Sequence, residues 1–291
     1  FLFKKAHNWF EFKRTFKNEF NLDQFQNIIK STFDNFSQIL GGKEIIIPLS
    51  GGFDSRLILD ELLKRKIELK VYTIGSNKNE DFLMARNLMN KLNMPIHEIA
   101  ANRNNISDYL KTNDFRRFWD YAGGNFVVPI FAECLYSTEL KYFKPNSIFA
   151  PGHSLDFLAG SHLPKVEVCT KSNSYKMVSD YHCLPKNSQE KSINIISKYI
   201  ENNKNNLSQV ELFDYKFRQS RYIVNHIRNY EFIGYKPVLP LFSFQLINFF
   251  KEIRLVDLIN RHALLHKHKF SNNTLREISF VTAYEKKSSF K

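Results

Sequence analysis

Glu44-Ile45-Ile46-Ile47-Pro48-Leu49-Ser50-Gly51-Gly52-Phe53-Asp54-Ser55 is the stretch on which the fold turns. Its first half is a short apolar run rich in β-branched residues, which reads as a strand buried on both faces, as in parallel sheets. Its second half is a glycine-bearing loop, and the apolar positions Leu57, Ile58, Leu59, Leu62 and Leu63 behind it predict a helix. Working outward, Leu69–Ile74 predicts a second strand, Phe82–Leu92 a second helix and Pro95–Ile99 a third strand. A βαβαβ order over residues 44–99 predicts a doubly wound sheet with right-handed crossovers. Upstream, Phe25, Ile28, Ile29, Phe33, Phe36 and Leu40 have helical spacing, with Asn21 or Asp23 as cap. Downstream, the helical pattern resumes over Ile106–Trp119 and Pro129–Leu140, and Ser147–Ala150 reads as a fourth strand ending in Pro151-Gly152. Residues 163–190 are polar and irregular and read as a loop. Beyond residue 191 the pattern is helical except for an extended segment at Val238–Leu241. The fold class is α/β: a doubly wound, mostly parallel sheet of about five strands with a helical C-terminal half.

The loop Ser50–Ser55 carries the chemistry. Two glycines let the backbone approach phosphates and take positive φ. Successive N–H groups form an anion nest, and the positive end of the following helix points at the same place. Ser50 and Ser55 add hydroxyl donors. Asp54 is out of place in an anion site unless it holds a cation, for which magnesium bridging phosphate oxygens is the natural choice. A bare Gly-Gly after a strand would be read as a plain βα turn; the full Ser-Gly-Gly-Phe-Asp-Ser string in a βαβ context argues for a phosphate-binding loop.

Composition bounds the partners. The 291 residues carry a formal net charge of +13, with 43% hydrophobic residues, 28 Phe and 13 Tyr, enough for a sizeable core. The charge admits an anionic partner. Its clusters are short, such as Lys64-Arg65-Lys66 and Lys286-Lys287, which fits lysines spread over a surface better than a nucleic-acid groove. The three cysteines, Cys134, Cys169 and Cys183, form no CxxC pair, which argues against a zinc site and fits a reduced, cytoplasmic protein. No run of about 18 apolar residues is present, so no membrane partner is expected. His262 and His266 could chelate a metal from one helix face, but no third ligand is evident.

The Ser50–Ser55 string matches the PP-loop of the N-type ATP pyrophosphatases, which cleave ATP between the α and β phosphates; no Walker Gly-Lys-Ser/Thr is present. Three further stretches resemble the asparagine synthetase family. They are Tyr72-Thr73-Ile74-Gly75 with Glu80-Asp81 and Ala85-Arg86; Gly152-His153-Ser154-Leu155-Asp156-Phe157-Leu158-Ala159-Gly160; and Arg218-Gln219-Ser220-Arg221 through Asn225, with Tyr230-Glu231-Phe232 and Leu239-Pro240-Leu241. The resemblance spans about residues 20–255 and implies an adenine nucleotide alpha hydrolase-like fold. It also implies roles. Asp54 and Asp156 would hold Mg²⁺ on the pyrophosphate. Ser50, Gly51, Gly52, Phe53, Ser55 and Gly152 would cradle ATP, and Leu49, Thr73, Ile74 and Gly75 would meet adenosine.

The implied activity is that of an AMP-forming carbon–nitrogen ligase. ATP adenylates an acceptor and ammonia derived from glutamine displaces AMP, as in an asparagine synthase or an amidotransferase acting on a sugar or glycan precursor. Residues 1–20 are expected as the junction to, or remnant of, a missing N-terminal glutaminase-like domain, and residues 21–291 as the ATP-pyrophosphatase domain; a separate glutaminase subunit would serve equally. The chain departs from the family pattern at His153 and Phe157, where the family has glutamates. His153 is a candidate general base, since imidazole titrates near neutrality; it could equally be a loop histidine that shapes the pocket. The family's late lysine has no clear match, and Arg261, Lys267 and Lys269 each read as part of a solvated helix face. Two other readings compete: a PP-loop enzyme modifying tRNA, which the charge favours but the missing cysteine pair does not, and a catalytically inactive scaffold, which His153 and Phe157 favour.

Overall fold

The computed structural model describes residues 14–122, 131–161, 163, 211 and 214–278. Five parallel strands form one sheet in the order β3-β2-β1-β4-β5: β1 (Ile45–Pro48), β2 (Leu69–Gly75), β3 (His97–Ala100), β4 (Ile148–Phe149) and β5 (Lys236–Pro237). Helices flank it, so the expected α/β doubly wound class is the observed one. β1 lies at the centre, with Ile45 opposite Leu69 on one side and Ile148 on the other. Ile45, Ile46 and Ile47 are all fully buried, as a strand covered on both faces requires. The period of two sends Ile45 and Ile47 to one core and Ile46 to another.

The first core is aliphatic and phenylalanine-rich. Helix α1 (Leu22–Leu40) contributes Phe25, Ile29, Phe33 and Phe36 from one stripe. Asn21 caps it by accepting from the Gln24 N–H at 2.9 Å, which decides between the two expected caps. Helix α2 (Phe53–Lys64) follows the loop, and α3 (Glu80–Lys91) follows β2. The Ile106–Trp119 pattern forms two helices, α4 (Arg103–Tyr109) and α5 (Asn113–Tyr121), because the Thr112 hydroxyl caps a new start by accepting from the Phe115 N–H. In the Pro129–Leu140 pattern, residues 129–130 lie outside the described residues; α6 (Ala132–Leu135) and α7 (Ser137–Leu140) are the described part. Beyond β4 come α8 (Leu155–Leu158), a π-helical segment at Asp214–Ile223, and α9 (Val224–Phe232). The region 163–190, apart from Leu163, is outside the described residues.

The extended segment expected at Val238–Leu241 is displaced. The strand is Lys236–Pro237, the Val238 N–H prolongs its ladder to the Phe149 carbonyl, and Pro240–Phe242 turn into a 3₁₀ helix. Pro240 starts that turn because its ring fixes φ and it needs no donor partner. Helices α10 (Phe244–Glu252), α11 (Leu255–Leu258), α12 (His262–Lys267) and α13 (Asn273–Glu277) complete the described chain. Residues 14–20 pack on this body: Thr15, Lys17 and Asn18 donate backbone N–H groups to Lys251 and Glu252, and Arg14 is buried on Glu211. None of the helices described is long and apolar enough to cross a membrane.

Candidate functional site

The strand order reverses direction at β1 and β4, so the loops leaving their carboxyl ends diverge and open a crevice, the usual ligand position in such sheets. The first loop is Ser50–Ser55. Its conformation is held by Ser55, whose Oγ accepts from the Ser50 N–H at 3.2 Å and lies 3.1 Å from the Ser50 Oγ, which in turn accepts from the Gly52 N–H. Gly52 has φ −77°, and Gly51 is not among the positive-φ residues, so the expected positive φ does not occur. Gly51 is required for a different reason: a Cβ there would lie 2.7 Å from the Met84 Cβ on α3. Leu49 directly follows β1, with its N–H bonded to the Tyr72 carbonyl and its side chain in the first core. Thr73 and Gly75 are buried at the end of β2, with Ile74 half-buried; Gly75 lets Phe82 pack where its own Cβ would collide.

The second loop, after β4, is pressed onto the first at Gly152. A Cβ there would come within 2.7 Å of the Ser55 N and 3.1 Å of the Asp54 Cβ. This close approach brings Asp54 and Asp156 together. Burial pushes the Asp54 carboxyl up to about 6; Arg261 pulls it down, the charge of Asp156 raises it further, and a backbone hydrogen bond from Asp156 lowers it. Arg261 forms an ion pair with Asp54, and its guanidinium lies 5.1 Å from the centre of the Phe53 ring. The reading of Arg261 as a solvated residue is therefore corrected: Asn260 and Arg261 both take left-handed φ, near 55° and 59°, and that kink turns the side chain inward. Lys269 is exposed, while Lys267 donates to the Phe20 carbonyl at 3.2 Å.

Arg56, one residue past the loop, is fully buried and donates to the carbonyls of Gly51, Leu275 and Ile278. It pins the loop to α13 and the residue that follows it, and sequence patterning offered one clue, a cation directly before the apolar triplet Leu57-Ile58-Leu59. Phe157, where the resemblance expects a glutamate, is buried in the first core. Gly160 takes φ +91° against the Leu258 carbonyl, a position closed to any side chain.

His153 sits beside His226 of α9, with ring centroids 4.5 Å apart. Burial, helped by the charge of His226, drives its pKa down to about 3 against the pull of Glu133 and Asp156. Near neutrality its ring is therefore uncharged and does not titrate there, which goes against the general-base reading and leaves the alternative of a histidine that shapes the pocket. Behind it lies a buried carboxylate that patterning missed. Glu133 of α6 accepts from the hydroxyls of Tyr72 at 3.0 Å and Tyr230 at 3.2 Å and from the Asn229 amide, with the His226 Nε2 at 3.8 Å. Burial would raise its pKa, but His226 and these donors outweigh it and hold it low. His262 and His266 lie with ring centroids 4.5 Å apart on α12, and no group of three or more metal-ligating side chains that could hold an ion occurs among the described residues.

No family model matches the chain. Over 91 residues it is 31% identical to the asparagine synthetase [glutamine-hydrolyzing] of Mesocricetus auratus, a match covering 28% of this chain and 16% of that protein. The chain is thus similar over a limited region to a ligase of that kind, and the match takes in well under two thirds of that relative's length.

Proposed function

We propose that this chain binds ATP at the Ser50–Ser55 loop and uses it to adenylate an acceptor, as an asparagine synthetase-like carbon–nitrogen ligase. The observation that carries the reading is the contact at Gly152, which sets Asp54 and Asp156 side by side at the switch point of the sheet, next to a serine- and glycine-lined turn on a helix N-terminus. Two adjacent carboxylates, one of them raised toward neutrality, call for a cation. Arg261 supplies one, and the pair fits Mg²⁺ as well. Mg²⁺, when bound, would neutralise charge on the leaving pyrophosphate.

An acceptor oxygen attacks the α phosphorus, the bond from that phosphorus to the bridging oxygen breaks, and pyrophosphate leaves. Ammonia delivered by a glutaminase domain or subunit then displaces AMP. Ser50, Ser55 and the Gly51 and Gly52 N–H groups orient the phosphates, Leu49, Thr73, Ile74 and Gly75 border the adenosine, and neutral His153 hydrogen-bonds the acceptor. The partial match to an asparagine synthetase supports this reading. Aspartate and a sugar or glycan precursor are the two acceptors in view, with His153 weighing against free aspartate.

Exchange of labelled pyrophosphate into ATP, with Mg²⁺ and a panel of aspartate, carboxylated sugars and acetamido sugars, tests it. Exchange that depends on one acceptor and falls at least about 100-fold in Asp54→Ala is expected. ATP binding without exchange on any acceptor would favour an inactive scaffold.

A further inference from the structure

Asp54 is already engaged by a cation of the chain's own. The Arg261 Nη2 donates to the Asp54 Oδ1, and both side chains are nearly buried. A structural ion pair is built differently. Arg86 grips Glu98 with the two-point fork that guanidinium and carboxylate favour, through Nε at 2.7 Å and Nη2 at 2.5 Å. Arg261 reaches a single oxygen, and its Nε is buried with no hydrogen-bond partner. Its guanidinium otherwise lies over the Phe53 ring, 5.1 Å from the ring centre.

The backbone behind this side chain is strained. Asn260 and Arg261 lie between α11 and α12 with φ 55° and 59° and ψ 25° and 27°. Asparagine visits this left-handed region readily; arginine does not. Such strain persists where surrounding contacts offset it, and it clusters at switch segments. Here the guanidinium's contacts with Asp54 and Phe53 do so. The start of the junction is fixed by the loop after β4, where Gly160 packs against the Leu258 carbonyl. A fixed start followed by two strained residues and a one-point grip is the construction of a hinge.

Charge points the same way. Asp156 acts on Asp54 as a neighbouring negative charge, so the two carboxylates alone would draw a divalent cation. With Arg261 in place, part of that charge is neutralised and one Asp54 oxygen is taken. A metal ion on Asp54 must displace the guanidinium. A polyphosphate on the Ser50–Ser55 turn would offer the guanidinium other anionic oxygens. We propose that Arg261 is a guard on Asp54: it holds the cation position closed and yields it when phosphates arrive, so that metal entry depends on nucleotide. The guard rests on the ATP reading for the identity of its trigger, while the closed position rests on the ion pair.

The test titrates the whole chain with Mn²⁺ in the absence of nucleotide and reads free Mn²⁺ by electron paramagnetic resonance. The wild type is expected to bind weakly, with a Kd above about 1 mM. Arg261→Met keeps an unbranched side chain to pack on Phe53 but removes the charge; it should bind Mn²⁺ at least about 10-fold more tightly. Adding Asp54→Asn should abolish that gain. Arg261→Gln replaces Arg261→Met if the latter fails to fold. Tighter binding by the wild type, a gain smaller than about 10-fold, or a gain that survives Asp54→Asn overturns the proposal. Mg·ATP binding to the same samples separates the two readings. A gain in Mn²⁺ affinity without any ATP binding leaves the closed position standing and removes nucleotide as its trigger, together with the adenylation reading. ATP binding without the gain removes the guard and leaves that reading intact.

Discussion

The two faces of the sheet are built on different principles. One face is closed by α1, α2 and α10 with phenylalanine and aliphatic side chains, and Ile45 and Ile47 of the central strand point into it. The other face, reached by Ile46, is rich in tyrosine, and Tyr72 and Tyr230 turn their hydroxyls onto a buried carboxylate. The first face is tuned by volume, because a dry core responds to each lost methylene. The second is tuned by satisfaction, because each member of a buried polar network depends on its partners. That second network runs from Glu133 through His226 to His153, which lies on the second loop of the crevice.

Breaking the comparison starts with the largest effect. Glu133→Leu should cost about 3–5 kcal/mol in urea denaturation, since two tyrosine hydroxyls and the Asn229 amide lose their acceptor together. Adding Tyr72→Phe should cost less than its own penalty in the wild type, which a double-mutant cycle reads as coupling.

Acid should then test the phenylalanine-rich face. His268 lies among the rings of Phe25, Phe53 and Phe270 on the dry face, both nitrogens buried without a partner. Burial depresses its pKa from 6.5 to about 4. The unfolded chain thus binds a proton that the folded chain refuses across that window. Stability from this group is present above pH 6.5 and is lost as pH falls toward 4, by roughly 3 kcal/mol. His268→Phe should make that arm of the stability–pH curve shallower. Glu133 has a lowered folded pKa, so its contribution disappears only below its ordinary value of 4.5. His153, depressed to about 3, gives up its own share over the same range, so His268→Phe should shrink the loss between pH 6.5 and 4 without abolishing it, and an undiminished loss would contradict this assignment.

Smaller effects test the volume side. Ile47→Val should cost about 1 kcal/mol, with little change in ligand binding. Asn21→Ala removes the cap of α1 and should cost about 1 kcal/mol, seen as a lower denaturation midpoint at unchanged slope.

What could be read in the sequence follows the same division. The order of strands and helices over residues 44–99, the apolar stripe of α1 and the Ser50–Ser55 turn were legible because period and local turn chemistry encode them. Glu133, His226 and Arg261 were not, since a single polar residue in a helical pattern looks solvated until a distant element covers it. Arg261 meets Asp54 across 207 positions, and Asn229 meets Glu133 across 96. The last strand was misplaced by two residues because Lys236–Pro237 is too short to show alternation. The loop glycines misled in a different way: Gly51 serves close packing, which sequence cannot distinguish from positive φ.

Arg56 sets an order of events on the ribosome. Its guanidinium joins the carbonyl of Gly51 to those of Leu275 and Ile278, more than two hundred residues downstream. The sheet around β1, β2 and β3 can assemble as soon as residue 100 has emerged, yet the turn after β1 lacks its anchor until residue 278 follows. A nascent chain would therefore acquire its scaffold early and the final shape of its crevice late.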